Sequence, residues 1–296
     1  MRARPKPWPL KLWYRVEAVA ARALFAMLGV LSLERASALG GRLGRTFGPL
    51  IPRTRVARRN LARAFPEKSG REIEAIIRDM WGNLGRTVFE YPHLDRFRSI
   101  DGDLVDVVGV EHVDAMRDDG RAGIIISAHL ANWELMGLAA AARGTPINLV
   151  YRPPNNPHMS WLYELRQSGE AEMVPKGPDG AKRLLKLLRD GAHVGMLVDQ
   201  KLNDGIPIPF FGRDAMTAPA VAQLALKFGC PVIPARIERL DGVRFRITVY
   251  PPLDFPGTGD RAADEIALMT RINALIEGWI RERPAQWLWL HRRWPD

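Results

Sequence analysis

From about residue 104 onward, short apolar runs alternate with stretches of helical period, while the first hundred residues carry helical periodicity alone. "LVDVVGV", "AGIIISA", "INLVY", "AHVGMLV", "PVIPARIE" and "RFRITVY" have the length and β-branched content of strands. Between them "ANWELMGLAAAAR", "PHMSWLYELRQS", "DGAKRLLKLLRD" and "TAPAVAQLALKFG" read as helices. Apolar strands separated by helices predict an α/β fold, a mostly parallel central sheet covered by helices on both faces. "RFRITVY" follows "ARIERLDG" too closely for a crossover, which predicts an antiparallel hairpin turning at Asp241-Gly242. A long helix, "DRAADEIALMTRINALIEGWIRER", is expected next, and the aromatic, basic "PAQWLWLHRRWPD" follows it.

The N-terminal third predicts helices only. Gly40, Gly44 and Gly48 recur every fourth residue, a spacing that lets two helices approach closely. "TRVARRNLARAF" reads as a short basic amphipathic helix, and a longer one opens at Ser69 in "SGREIEAIIRDMWGNLGRTVFEY". Neither an internal repeat nor a low-complexity linker interrupts the chain. One domain over 1–296 is therefore expected, with membrane-associating helices at 1–50, a helical layer at 51–103 and the α/β core at 104–296.

Charge changes the picture of the first region. Residues 1–65 carry 14 Lys and Arg against Glu17 and Glu34, a net of +12, so the other 231 residues sum to −2 within a chain total of +10. A basic end on a near-neutral body predicts an anionic partner surface. "ALFAMLGVLSL" (23–33) is uncharged but as a helix spans only about 16 Å, roughly half a bilayer core. Arg2, Arg4, Lys6, Lys11 and Arg15 precede it and Arg35, Arg42 and Arg45 follow, so no charge bias selects one side. Trp8 and Trp13 beside Lys11 and Arg15 suit an anchor lying among lipid headgroups. "ASA" at 36–38 resembles a signal-peptidase site, but the charged stretch before the apolar run is too long for one. An uncleaved membrane-surface helix is the expectation, with a tilted single span as the alternative. Nucleic acid is disfavoured, since no reader motif or stacking aromatics interleave the basic residues.

The candidate chemistry is narrow. Cys230 is the one cysteine and lies ahead of an apolar run, as a small core residue would. H-E-x-x-H, C-x-x-C, Walker and dinucleotide signatures are all missing, and His93, His112, His129, His158, His193 and His291 are scattered. What stands out is "SAHLANWEL", with His129 and Glu134 five positions apart. On one continuous helix they would point about 140° apart. If a strand ends near His129 and a helix starts near Asn132, the chain turns between them and the pair can meet. Glu134 would then hold one ring nitrogen of His129 and leave the other free to deprotonate an alcohol. Backbone N–H groups at Asn132 could steady an oxyanion. No G-x-S-x-G elbow supplies a nucleophile, so the hydroxyl activated would belong to a bound acceptor.

These residues resemble a known family. "SAHLANWE", "RRNLARAFPE" (58–67), "YRPPNNP" (151–157), "VDQ" (198–200), "IPFFG" (208–212) and "PAQWLWLHRRW" (284–294) are similar, in order, to blocks of the lipid A late acyltransferases, the lauroyl/myristoyl transferases of the lysophospholipid-acyltransferase-like superfamily. The resemblance implies transfer of a fatty acyl chain from acyl carrier protein, or acyl-CoA, to a hydroxyl of a Kdo-lipid A precursor. It implies work at the cytoplasmic face of an inner membrane, contact with anionic lipids, and no cofactor beyond the phosphopantetheine carried by the donor. His129 would be the base and Glu134 its partner. Arg152, Arg166, Asp199 and Gln200 would bind substrate or organise the site. Ala131 stands where the family often has glycine, and Ser160 where an acid often follows "NP". Another glycolipid, such as a phosphatidylinositol mannoside, is the rival acceptor, and a non-catalytic membrane-surface protein is the rival class.

Overall fold

The structure is a computed structural model that describes residues 8–98, 103–166, 171–255 and 257–295. Arg2, Arg4 and Lys6, and the side chains of Trp8 and Lys11, lie outside the described residues. Helix α1 (Trp8–Val30) breaks at Leu31, and Ser32 caps α2 (Leu33–Phe47) by accepting from the Arg35 N–H. The apolar run 23–33 is thus divided between two helices. Among the described residues no helix is long and apolar enough to cross a membrane. Instead α1 leaves Trp13, Val19, Met27 and Val30 exposed on one side, while Phe25 lies edge-on to Trp161, ring centroids 5.0 Å apart.

After α3 (Thr54–Ala64), α4 (Gly70–Glu90) begins with a reciprocal cap. Ser69 Oγ accepts the Glu72 N–H at 3.4 Å and Glu72 Oε2 accepts the Ser69 N–H at 2.8 Å. α2 packs on α4 backbone to backbone. A Cβ at Gly40 would strike the Gly85 carbonyl and one at Gly44 the Trp81 carbonyl, so the glycine spacing serves helix contact.

The α/β part runs β1 (Val105–Val108), α5 (Val110–Asp118), β2 (Ile124–Ser127), α6 (Leu135–Ala142), β3 (Ile147–Tyr151), α7 (Trp161–Arg166), β4 (Met173–Pro175), α8 (Pro178–Arg189) and β5 (His193–Leu197). It continues through β6 (Lys201–Phe210), β7 (Arg213–Thr217), α9 (Ala220–Phe228), β8 (Val232–Asp241), β9 (Arg244–Val249) and α10 (Arg261–Glu282). Seven strands form one sheet in the order β1-β9-β8-β2-β5-β3-β4. β8, β2, β5, β3 and β4 are mutually parallel, and β9 pairs antiparallel with β8 through a turn at Gly242, φ +51°. The fold is therefore mixed α/β with a mostly parallel central sheet between helices. The β2–α6–β3 crossover and the β4–α8–β5 crossover step along the sheet in opposite directions. Right-handed connections then put α6 and α8 on opposite faces.

Four elements depart from the pattern reading. β6 and β7 form a separate hairpin turning at Phe211-Gly212, φ +53° and +67°, where an apolar run disguised the turn. β4 is only three residues long, below what periodicity resolves. α6 starts at Leu135 rather than near Asn132, because residues 131–134 are held in a turn. "IPFFG" belongs to the core: Phe210 and Phe211 pack among Trp287, Trp289 and Trp294.

Candidate functional site

β2 delivers His129 to the carboxyl ends of the parallel strands, where open α/β sheets gather their ligand-binding groups. The turn after it is clamped from three sides. Ala131 has φ +48°, the left-handed region that glycine enters more readily. Its carbonyl accepts from Asn83 Nδ2 and Thr87 Oγ1 of α4, each at 3.0 Å. Its N–H donates to the Gln286 carbonyl, beside an antiparallel bridge between Leu130 and Trp287. Asn132 is fully buried, donating to Glu90 Oε2 at 2.8 Å. Glu90 is also bound by Arg239 of β8, at 2.5 and 3.0 Å, and by Ser37 of α2 at 2.7 Å. The helical layer and the sheet together fix the turn.

The expected pairing of His129 with Glu134 is corrected here. His129 Nδ1 donates to Asp199 Oδ1 at 2.7 Å, and the His129 backbone N–H donates to Asp199 Oδ2 at 3.0 Å. A carboxylate only accepts, so this bond puts the proton on Nδ1 and the lone pair on Nε2. Gln200 Nε2 donates to that lone pair at 3.1 Å and reaches His291 Nε2 at 3.0 Å. Asp199, at the end of β5, is buried and takes a further bond from Trp287 Nε1 at 2.7 Å. Burial opposes its ionisation, but the His129 charge, the two His129 N–H bonds and the indole outweigh it. The carboxyl is held below the ordinary carboxylate range.

Glu134 belongs to a neighbouring cluster. Its Oε1 accepts from Tyr91 Oη at 2.6 Å and from Trp133 Nε1 at 2.8 Å, and its Oε2 pairs with Arg166 Nε. The physical reason is local. With no helix before Leu135, the side chain at 134 turns toward the helical layer and α7, whose arginine needs a counter-charge. Burial, followed by the adjacent Glu134 carboxylate, pushes the Tyr91 hydroxyl well above its usual value, so Tyr91 is a donor throughout the neutral range. Burial works against the Arg166 charge, and Glu134 more than restores it.

Between α6 and the sheet runs an apolar cavity with Trp133, Glu134 and Arg166 at its polar end. Leu149, Gly195 and Ile125 lie along its floor, and Val110, Val113 and Ile247 lie further in. Gly195 matters sterically, since a Cβ there would press on Leu149 and Ile147. Ser127 Oγ faces this space, buried and without a protein partner.

Among the sequence-predicted residues, His129, Asp199 and Gln200 come together, and Glu134 and Arg166 form the cluster beside them. Asn132 is buried in the Glu90 network rather than at a helix start, because α6 begins three residues later. Arg152 is exposed on the loop after β3. Tyr91, Trp287 and His291 were not among the expected site residues. The first stands in a helical pattern with nothing to mark it. The other two lay in a recognised block, "PAQWLWLHRRW", whose chemistry appears only when α3 draws it across the site. There Asn60 Nδ2 donates to the Trp289 and His291 carbonyls at 2.9 and 2.6 Å. Burial and the His129 charge, with Arg53 and Lys176 beyond, lower the His291 pKa to about 4 against a smaller opposing pull from Asp199.

Comparison with known proteins follows the same lines. The family described as bacterial lipid A biosynthesis acyltransferase matches residues 10–296. The phosphatidylinositol mannoside acyltransferase of Mycolicibacterium smegmatis is 27% identical over 248 residues, covering 80% of this chain and 78% of that protein. The lipid A biosynthesis palmitoleoyltransferase of Escherichia coli is 26% identical over 271 residues, 86% of this chain and 83% of that one. The lauroyltransferase of the same organism is 26% identical over 251 residues, 81% and 78%.

Proposed function

This chain belongs to the bacterial lipid A biosynthesis acyltransferase family and is an acyltransferase of that type, and from this premise we propose that it moves a fatty acyl chain from an acyl carrier protein thioester to a hydroxyl of a Kdo-lipid A precursor. The observation that carries the mechanism is the His129 ring. Its Nδ1–H is tied to buried Asp199, and its Nε2 lone pair is turned toward the Gln200 amide.

In this reading the acceptor hydroxyl replaces the Gln200 amide at Nε2, and His129 takes its proton as the oxygen attacks the thioester carbonyl. Asp199 keeps the tautomer and stabilises the imidazolium. The tetrahedral intermediate collapses with loss of the C–S bond, and the imidazolium proton goes to the departing thiolate. Glu134 acts one step removed, holding Arg166 beside the thioester, where a guanidinium suits a developing oxyanion. The acyl chain would lie in the cavity under α6, each buried methylene contributing about 0.8 kcal/mol.

The basic first 65 residues and the exposed apolar side of α1 support attachment to an anionic membrane surface, the cytoplasmic face of an inner membrane in this proposal. The same charge suits an acidic carrier protein. Phosphatidylinositol mannoside stays in view as an acceptor, since a relative named for it aligns over most of this chain.

The test is a matched assay with purified full-length protein, acyl carrier protein or CoA as thioester, and either glycolipid as acceptor. Transfer to the Kdo-lipid A precursor is expected, together with loss of about 10²- to 10⁴-fold in kcat for a folded His129→Ala variant. Equal turnover by that variant would remove the base from the mechanism, and transfer only to the mannoside would reassign the acceptor.

A further inference from the structure

A second cavity opens at the same strand ends on the side of the sheet covered by α8 and α9. Leu184, Met196, Val198, Leu202, Ala218 and Val221 form its walls. It meets the first cavity at Val150, Met196 and Leu197, but Gln200, whose amide sits on His129 Nε2, borders this one and not the other. Two apolar spaces thus share Val150, Met196 and Leu197, and the second is tied to the base through Gln200.

Small residues create the room. Gly180 brings α8 so close to β4 that a Cβ would strike the Pro175 carbonyl, and the neighbouring Ala181 offers the cavity no more than a methyl group. Across from it Ala218 and Ala220 do the same. The rim is cationic: Lys176 and Lys201 border the opening, and none of the described residues lining it is acidic. The charges of Arg53 and Lys176 are also felt at His291, beyond Gln200, where they add to the effect of burial and of His129.

We infer that this second cavity holds a hydrocarbon chain of the acceptor lipid, with an anionic group of that lipid against Lys176 and Lys201. The inference rests on the acyl-transfer reading above. Transfer without an enzyme nucleophile needs both substrates at once, and the cavity under α6 carries Arg166 and Glu134, the thioester side, in its lining. The occupant of the α8–α9 cavity passes Gln200 and so arrives at the lone pair of the base. Apolar walls with a lysine rim match an amphiphile carrying phosphate or carboxylate.

Photolabelling tests this without turnover. Phosphatidic acid bearing a diazirine at the end of its chain, in detergent micelles with the full-length protein, is expected to mark α8 and the start of α9. Ala181→Phe and Ala218→Phe, filling the cavity from opposite walls, should each cut that labelling about tenfold. They should also raise KM for a long-chain lipid acceptor about tenfold while leaving KM for the thioester within about twofold. Lys176→Glu with Lys201→Glu should weaken labelling by phosphatidic acid but not by a diazirine-tailed diacylglycerol. Labels confined to the cavity under α6, or a rise in thioester KM in place of acceptor KM, would overturn the inference. Lipid labelling of α8 in a protein that transfers no acyl group would instead sink the reaction and leave the site standing.

Discussion

Two carboxylates at this site, Asp199 and Glu134, are built differently. Asp199 is a strand-end residue, buried, bonded to His129 and Trp287 within the α/β core. Glu134 faces the other way, bonded to Tyr91 of the helical layer, to Trp133, and to Arg166 of α7. One cluster fixes the tautomer of an imidazole, and the other fixes a cation. Sequence proximity to the histidine went to the wrong carboxylate. A side chain five positions away can be turned from its neighbour by one left-handed residue, whereas adjacent parallel strands always bring their ends together.

The largest expected effect breaks the core cluster. Asp199→Asn keeps the shape but favours the wrong tautomer, and kcat is expected to fall about 10³- to 10⁴-fold with little change in thioester KM. A loss below about tenfold would show that His129 does not depend on this partner. Glu134→Gln loosens Arg166 without touching the base, so a smaller loss of about 10- to 10²-fold is expected. If Glu134→Gln lost more in kcat than Asp199→Asn, the assignment of the two carboxylates would be reversed.

The smallest effect is on stability. His291, held at about 4 by burial, by His129 and by the more distant cations, lies below the ordinary histidine value of about 6.5. The unfolded chain therefore binds a proton at this position before the folded one does, and stability falls as pH drops through that window. In His291→Gln this loss should shrink by on the order of 1–2 kcal/mol between pH 7 and pH 5, read from urea unfolding at each pH. Parallel curves for the two proteins would mean the imidazole is as free to protonate folded as unfolded. Asp199 acts in a different range, its depressed carboxyl contributing stability that is lost only as pH falls below the ordinary aspartate value of about 3.9.

The comparison also bears on α1. Treated as a detachable anchor, residues 1–33 could be removed without harm to catalysis in detergent. Phe25, however, packs edge-on against Tyr91 and Trp161, and Asn156 Nδ2 donates to the Tyr14 carbonyl and to Glu17 Oε2, each at 2.8 Å. The helix that meets the membrane in the proposed attachment is also a wall of the Glu134 cluster.

Much of the architecture was legible because it is governed by local rules. The strands β1, β2, β3, β5, β8 and β9, the Ser69 helix start and the Gly242 hairpin each follow from periodicity, capping or turn chemistry within a few residues. The close packing signalled by Gly40 and Gly44 was readable for the same reason. His129 and Asp199 could be singled out one by one, as polar residues ending apolar strands.

Their partnership could not, since 70 residues separate them and only the β2–β5 pairing sets Ser127 beside Leu197. The turn at Ala131, the delayed start of α6 and the arrival of Trp287 and His291 depend on groups from α3, α4, β8 and the C-terminal segment. Residue types and element boundaries were written in the chain itself, because backbone propensity and burial period act over a turn or a strand. Which acid partners His129 was decided by the assembled sheet, because hydrogen bonds of 2.7 Å form only where distant segments have already been packed into register.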